Sequence, residues 1–314
     1  MRPRGAVAAS CVAAATVAGC GLGAGKGADG VSVTVTRDFG ARTVGTAGAA
    51  RAPGEETVMR FLQRRFRVRT RFSGGFVQSV NGISGELRGA RRTDWFFYVN
   101  GIEASQGAAS TRLHPGDRVW WDHHDWGSAI SIPAVVGSFP EPFRSGTGGR
   151  RLPVTTACAP GVAAACEEAR GRLRRVGVPL SSGTIGAPLG DESLRLLVGT
   201  WAELRGDLVA RLIDGGPGVS GVFARFDRTG RRLNALDARG RTVRTLGPGT
   251  GLVAATREHD QKPTWVVTGT DAAGVMAAAR ALEEGALADH FALAVAGGAA
   301  VRLPSAPAAE GGAR

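Results

Sequence analysis

At 314 residues and 43% hydrophobic content the chain can build a core in each of two ordinary domains, which excludes a disordered protein. Its formal charge of +12 is almost wholly arginine, since Lys26 and Lys262 are the only lysines. That balance favours phosphate-rich partners such as a lipid surface or an anionic wall polymer, while no nucleic-acid-binding motif supports DNA or RNA.

Arg2 and Arg4 open the chain, residues 6–18 are small and apolar, and the run ends in Val17-Ala18-Gly19-Cys20. The stretch is too short to span a bilayer as a helix and reads as a signal peptide over residues 1–20. Its ending resembles the bacterial lipobox, in which the cysteine is lipidated and becomes the new N-terminus. Cys20 would then anchor an extracytoplasmic bacterial lipoprotein to the cell membrane, with residues 21–30 as a Gly-rich tether. An ordinary secretory signal cut between residues 19 and 23 is the alternative. Cys11 leaves with the signal in either case, so Cys158 and Cys166 are expected to pair as a disulfide in an oxidising compartment.

From Val31 the alternation VSVTVTRDFG then ARTVGTAG predicts two strands joined at Phe39-Gly40. Residues 56–66 change period, placing Val58, Phe61, Leu62 and Phe66 on one helical face. A hairpin through SVNGISG, a strand in DWFFYVNG, a turn at HPGD and a strand in RVWWDHHDW follow. Strands wrapped on a single helix describe a β-grasp-like domain over residues 31–131. The Pro/Gly/Ser-rich residues 132–151 read as a linker. Residues 152–303 alternate helices, at about 161–176, 202–213 and 272–284, with strands and a meander turning at Thr229-Gly230 and Arg239-Gly240. Asp271 is the expected N-cap of the last helix, and HFALAVAG the last strand. The fold class is thus α+β, a β-grasp-like N-terminal domain followed by a separate mixed α/β domain, with a disordered tail over 304–314.

On a strand, Trp121, His123 and Asp125 point one way while Trp120, Asp122, His124 and Trp126 point the other. Each face then offers two metal ligands where zinc needs three or four, so no metal site is expected. Val119 shares the side of Trp121, which makes Trp121 the ring expected to face the helix, with Trp120 and Trp126 outward. Gly216, Gly218 and Gly221 match a dinucleotide fingerprint but follow a helix and precede a strand, the reverse of the binding order, and read as a turn. Ser220 lies in no nucleophile elbow, and no catalytic constellation is visible, so the chain is not expected to be an enzyme.

WFFYVNG followed by PGDRVWW resembles the signature of the transcobalamin-like C-terminal domain family. Trp95, Tyr98, Asn100 and Gly101 match its first aromatic strand and turn; Leu113, Gly116, Asp117, Trp120 and Trp121 match its second. The resemblance covers about residues 31–126 and implies a β-grasp module that in vertebrate carriers closes over one face of a corrin. It makes cobalamin the most specific ligand to expect, with no other cofactor, and Trp95, Tyr98, Asn100, Trp120, Trp121 and Trp126 the candidate contacts. The helical barrel that holds the other corrin face in those carriers has no counterpart here. The leading expectation is therefore a tethered protein that binds a small molecule or a protein partner of the cell envelope. The other reading is an envelope structural or adhesion protein that binds anionic wall polymer through arginine.

If Cys20 carries the anchor, wild-type protein should sediment with membranes, and Cys20→Ser should be released or held as unprocessed precursor. Fractionation of expressing cells measures this, and a wholly soluble exported wild type rules the anchor out.

Overall fold

The computed structural model describes residues 30–306 apart from 52, 53, 73, 90, 189 and 191. The signal peptide, Cys20, nearly all of the tether and residues 307–314 of the tail lie outside the described residues.

In the N-terminal half, β1 (Val31–Arg37) and β2 (Arg42–Ala49) form a hairpin, and α1 (Val58–Arg65) follows. Thr57 caps α1 by accepting from the Arg60 amide at 3.3 Å, and Arg64 and Arg65 sit at its negative C-terminal end. Next come β3 (Val68–Arg71), β4 (Phe76–Val80), β5 (Ile83–Ser84), β6 (Glu86–Arg88), β7 (Arg91–Val99), β8 (Ile102–Glu103) and β9 (Arg118–Asp125). The main sheet runs β2-β1-β9-β7-β6, with β8 on β7 and with β1 parallel to β9. Val58, Phe61 and Leu62 of α1 pack on Val33, Val35, Trp95, Val119 and Trp121. The β-grasp-like layout is as expected.

The C-terminal half contains β10 (Val154–Cys158), α2 (Ala163–Arg175), β11 (Leu180–Gly183), β12 (Leu194–Thr200), α3 (Trp201–Leu204) and α4 (Pro217–Ser220). The meander β13 (Ala224–Phe226), β14 (Leu233–Leu236) and β15 (Thr242–Leu246) follows. Then come β16 (Gly251–Thr256), β17 (Thr264–Gly269), α5 (Ala272–Arg280), α6 (Glu284–Leu287), β18 (Ala292–Ala296) and β19 (Ala299–Leu303). Their sheet runs β11-β10-β12-β17-β16-β18-β19, parallel from β11 to β17 and antiparallel beyond. Asp271 caps α5 through the Gly274 amide, as its sequence predicts. β16 and β17 are buried throughout and read as apolar runs because both faces are covered. Helices α2 and α5 cover one face; the meander and the N-terminal half cover the other.

Three expectations are corrected. The helix expected over 202–213 is only α3 followed by a 3-10 segment at Ala210–Gly215. Asp207 interrupts it, because its carboxylate is drawn into a buried two-pronged pair with Arg195 at 2.8 and 2.8 Å. A further strand, β19, follows the expected last one through Gly297-Gly298, both with positive φ, as a tight hairpin demands. Residues 132–151 are no exposed linker: Ile132, Val135, Val136, Phe139 and Phe143 are buried among both halves. One hydrophobic cluster runs from Phe39, Tyr98 and Trp120 to Phe223, Phe226 and Phe291, so the halves are fused rather than separate.

Cys158, at the end of β10, is bonded to Cys166 in α2 with the Cα atoms 5.9 Å apart, as expected. Alkylation of denatured, unreduced protein should find no free thiol at these positions. Replacing both by serine should lower stability to urea by about 2–3 kcal/mol, the cost of releasing a short loop; an unchanged midpoint would contradict a structural role.

Candidate functional site

The candidate site is built on the pairing of β7 with β9, where Phe97 faces Trp121 and Tyr98 faces Trp120. A one-residue alternation therefore sends two sets of rings to opposite sides of the sheet.

The first set faces α1. Trp121 is 2% exposed, packs beside Val119, and stacks on Phe97 with ring centroids 4.8 Å apart. Trp95 donates its indole N–H to the Ile83 carbonyl at 3.0 Å. Around them lies a pocket of about 310 Å³, lined by Met59, Phe76, Val77, Trp95, Phe97 and Trp121. The indole Nε1 of Trp121 is buried with no hydrogen-bond partner among the described residues, which costs free energy. Phe76 is half-exposed at the rim, and the fully exposed Phe72 meets it edge-to-face at 6.4 Å. Sequence reading picked out Trp95 and Trp121 but missed Phe97, Phe76 and Met59. Phe97 was within reach, since it lies two residues from Trp95 and so on the same face.

The second set faces the C-terminal half. Tyr98 and Trp120 are buried, and both meet Phe291 edge-to-face at 5.7 and 5.0 Å. The expected outward aromatic face is thus covered by the chain's own second half. Burial pushes the Tyr98 phenol well up. Asp122 is fully buried and accepts from Thr36 Oγ1 at 2.5 Å, the Phe39 amide at 3.1 Å and the Gly40 amide at 2.8 Å. His124 Nδ1 lies 2.8 Å from Asp122, and its ring is stacked between Phe39 and Phe96. Among the described residues no group of three or more His, Cys, Asp or Glu side chains is placed to hold a metal ion.

The remaining candidates sit elsewhere. Asn100 is buried with φ of 55°, and donates to Asp117 Oδ1 and the Gly146 carbonyl while accepting from the Arg118 amide. All of its polar atoms are thereby engaged in holding the turn. Burial raises the Asp117 carboxyl, with the hydrogen bonds from His114 and Asn100 opposing. Trp126 is half-buried at the strand end, with the Arg92 guanidinium 5.6 Å from its ring.

Residues 55–125 match the family model of DUF4430, a domain of unknown function, and that span holds every wall of the aromatic pocket. No curated protein matches the chain. Among solved structures, the chain is similar to a crystal structure of a putative metal binding protein from Ruminococcus gnavus ATCC 29149. The identity is 14%, the match covers 31% of this chain and 97% of that one, and the TM-score is 0.26.

Because both faces of β9 are buried, Trp120→Ala and Trp121→Ala should each destabilise by about 3–5 kcal/mol, while Trp126→Ala should cost less than about 1 kcal/mol. Urea unfolding of the three variants measures this. A silent Trp120→Ala would mean that the second half does not rest on that ring.

Proposed function

We propose that this is an extracytoplasmic binding protein, not an enzyme, which takes one flat ring of a small molecule into the aromatic pocket under β7 and β9. The observation that carries the reading is the pocket walled by Trp121, Trp95, Phe97, Phe76 and Met59. Aromatic and apolar walls supply the contact surface usual in a small-molecule site. A volume of about 310 Å³ holds one or two fused rings and not a whole corrin. Cobalamin, the ligand implied by the transcobalamin-like resemblance, would enter with one edge only. The disulfide supports an exported protein, since such bonds persist in oxidising compartments. A lipid anchor at Cys20 would hold it at the membrane.

Tryptophan fluorescence of the mature chain, titrated with benzimidazole and separately with cobalamin, tests this reading. Saturable quenching by at least one of them is expected. Phe76→Ala should weaken it by about tenfold, the scale of one lost aromatic contact. Leu87→Ala, at another exposed apolar side chain off the pocket, should leave it unchanged. No saturable quenching by either probe, or quenching indifferent to Phe76→Ala, removes the reading.

A further inference from the structure

At the other end of β9 the two halves meet over a cleft of about 1000 Å³ that shares no residue with the aromatic pocket. Arg37 and Arg91 come from the N-terminal half; Arg239, Arg241 and Arg244 come from the meander, and Arg302 from β19. Asp38, Glu86, Asp125 and Asp237 are the carboxylates that line it.

Most of those carboxylates are already engaged. Asp237 is buried and accepts from the Arg239 and Arg241 amides and from Arg241 Nε and Nη2, so it fixes the β14–β15 turn. Asp38 lies 3.8 Å from Arg37 and 3.7 Å from Arg42. Asp125 accepts from the Gly127 amide at 2.8 Å. Arg302 donates to the Phe39 carbonyl at 3.5 Å. What remains is Glu86 and Asp125, whose charge the Gly127 amide does not cancel, against Arg91, Arg239 and Arg244, three exposed guanidiniums that make no hydrogen bond or ion pair with any described residue. His123 also lines the cleft; burial holds its pKa below the ordinary histidine value, so it adds no charge at neutral pH. Ser128 Oγ donates to the Ala238 carbonyl at 2.6 Å and ties the meander to the N-terminal half beside the cleft, so the arginines on both walls keep their spacing.

A guanidinium fork matches the oxygens of a phosphate, and the surplus positive charge in a concave site raises the local concentration of anions. A cleft of this volume is far larger than one phosphate, and its free arginines stand on both walls. We propose that it binds a molecule carrying several linked phosphates, bridged between Arg91 on one side and Arg239 and Arg244 on the other.

Calorimetric titration of the mature chain with tripolyphosphate and with inorganic phosphate, at about 50 mM and about 300 mM salt, tests the proposal. Tripolyphosphate should bind at least about tenfold more tightly than phosphate and weaken as salt rises. The triple variant Arg91→Ala, Arg239→Ala, Arg244→Ala should lose at least about tenfold, the effect of a charge-assisted hydrogen bond. A control triple, Arg60→Ala, Arg67→Ala, Arg69→Ala, removes the same charge from the exposed side of α1 and β3 and should change affinity less than about twofold. If the alanine triple fails to fold, the corresponding glutamine triple is judged by the same criterion. Absence of binding, equal affinity for the two probes, or equal loss in the control triple overturns the proposal; the last would reduce the effect to net charge.

Discussion

The arrangement depends on one buried carboxylate. Asp122 has no exposure and lies beside Phe39 and Trp120 of the hydrophobic cluster that joins the halves, a position in which an ionised group is costly unless every lone pair is used. It is used. Thr36, His124 and the amides of Phe39 and Gly40 surround it, and Trp120 donates to the same Thr36 hydroxyl at 2.7 Å. Those two amides reach it because Asp38, Phe39 and Gly40 turn in the left-handed region, with φ of 60°, 57° and 77°. A side chain at Gly40 would strike the Asp289 carbonyl, since an added Cβ would lie 2.1 Å from it. The turn bent around Asp122 therefore drives Phe39 into the C-terminal half, against Phe223 and Phe291. Electrostatic satisfaction and apolar burial act at the same residues, and neither arrangement stands without the other.

This junction decides where a ligand can go. Were the halves loosely linked, the face bearing Tyr98 and Trp120 would open to solvent and offer an aromatic clamp. Fused as they are, opening that face would expose Phe39, Phe223 and Phe291 together with Tyr98 and Trp120, and each large buried ring costs about 3–5 kcal/mol when its packing is lost. The closed junction still leaves open the pocket on the α1 side of β9 and the cleft at its end. Both are preformed, so neither charges a ligand with the work of closing two domains.

Local features were legible in the sequence because their causes are local. The helix of residues 58–65, the Asp271 cap, the Asn100-Gly101 turn and the Cys158–Cys166 pair each follow from spacing or from one residue's backbone preference. The orientation of Trp121 followed from period-two alternation. The junction was not legible. Trp120, Asp122 and His124 alternate a large ring with polar groups, and such a face reads as a solvated strand end unless one knows that Thr36 and the Phe39 and Gly40 amides, more than eighty residues away, satisfy the carboxylate. Residues 132–151 misled for the opposite reason. Their prolines and glycines suggest a linker, yet Val135, Val136, Phe139 and Phe143 supply enough apolar surface to hold them in the core.

The arginine excess has a structural counterpart in how the two charge signs are used. Carboxylates are acceptors, and this chain uses many of them on backbone amides: Asp227 and Asp237 within meander turns, Asp271 on Gly249 and Gly274, Glu203 on Thr200, Glu141 on Ser145. A guanidinium only donates, and can take no part in satisfying those amides. Acids are thereby tied to the turns they shape, whereas many arginines are left in solvent around them. The meander shows the outcome within one hairpin, where Asp237 is 4% exposed and Arg239, Arg241 and Arg244 stand in solvent beside it. The field outside the protein is consequently more positive than its net charge alone conveys, and it is concentrated where turn-forming acids and arginines are neighbours in sequence.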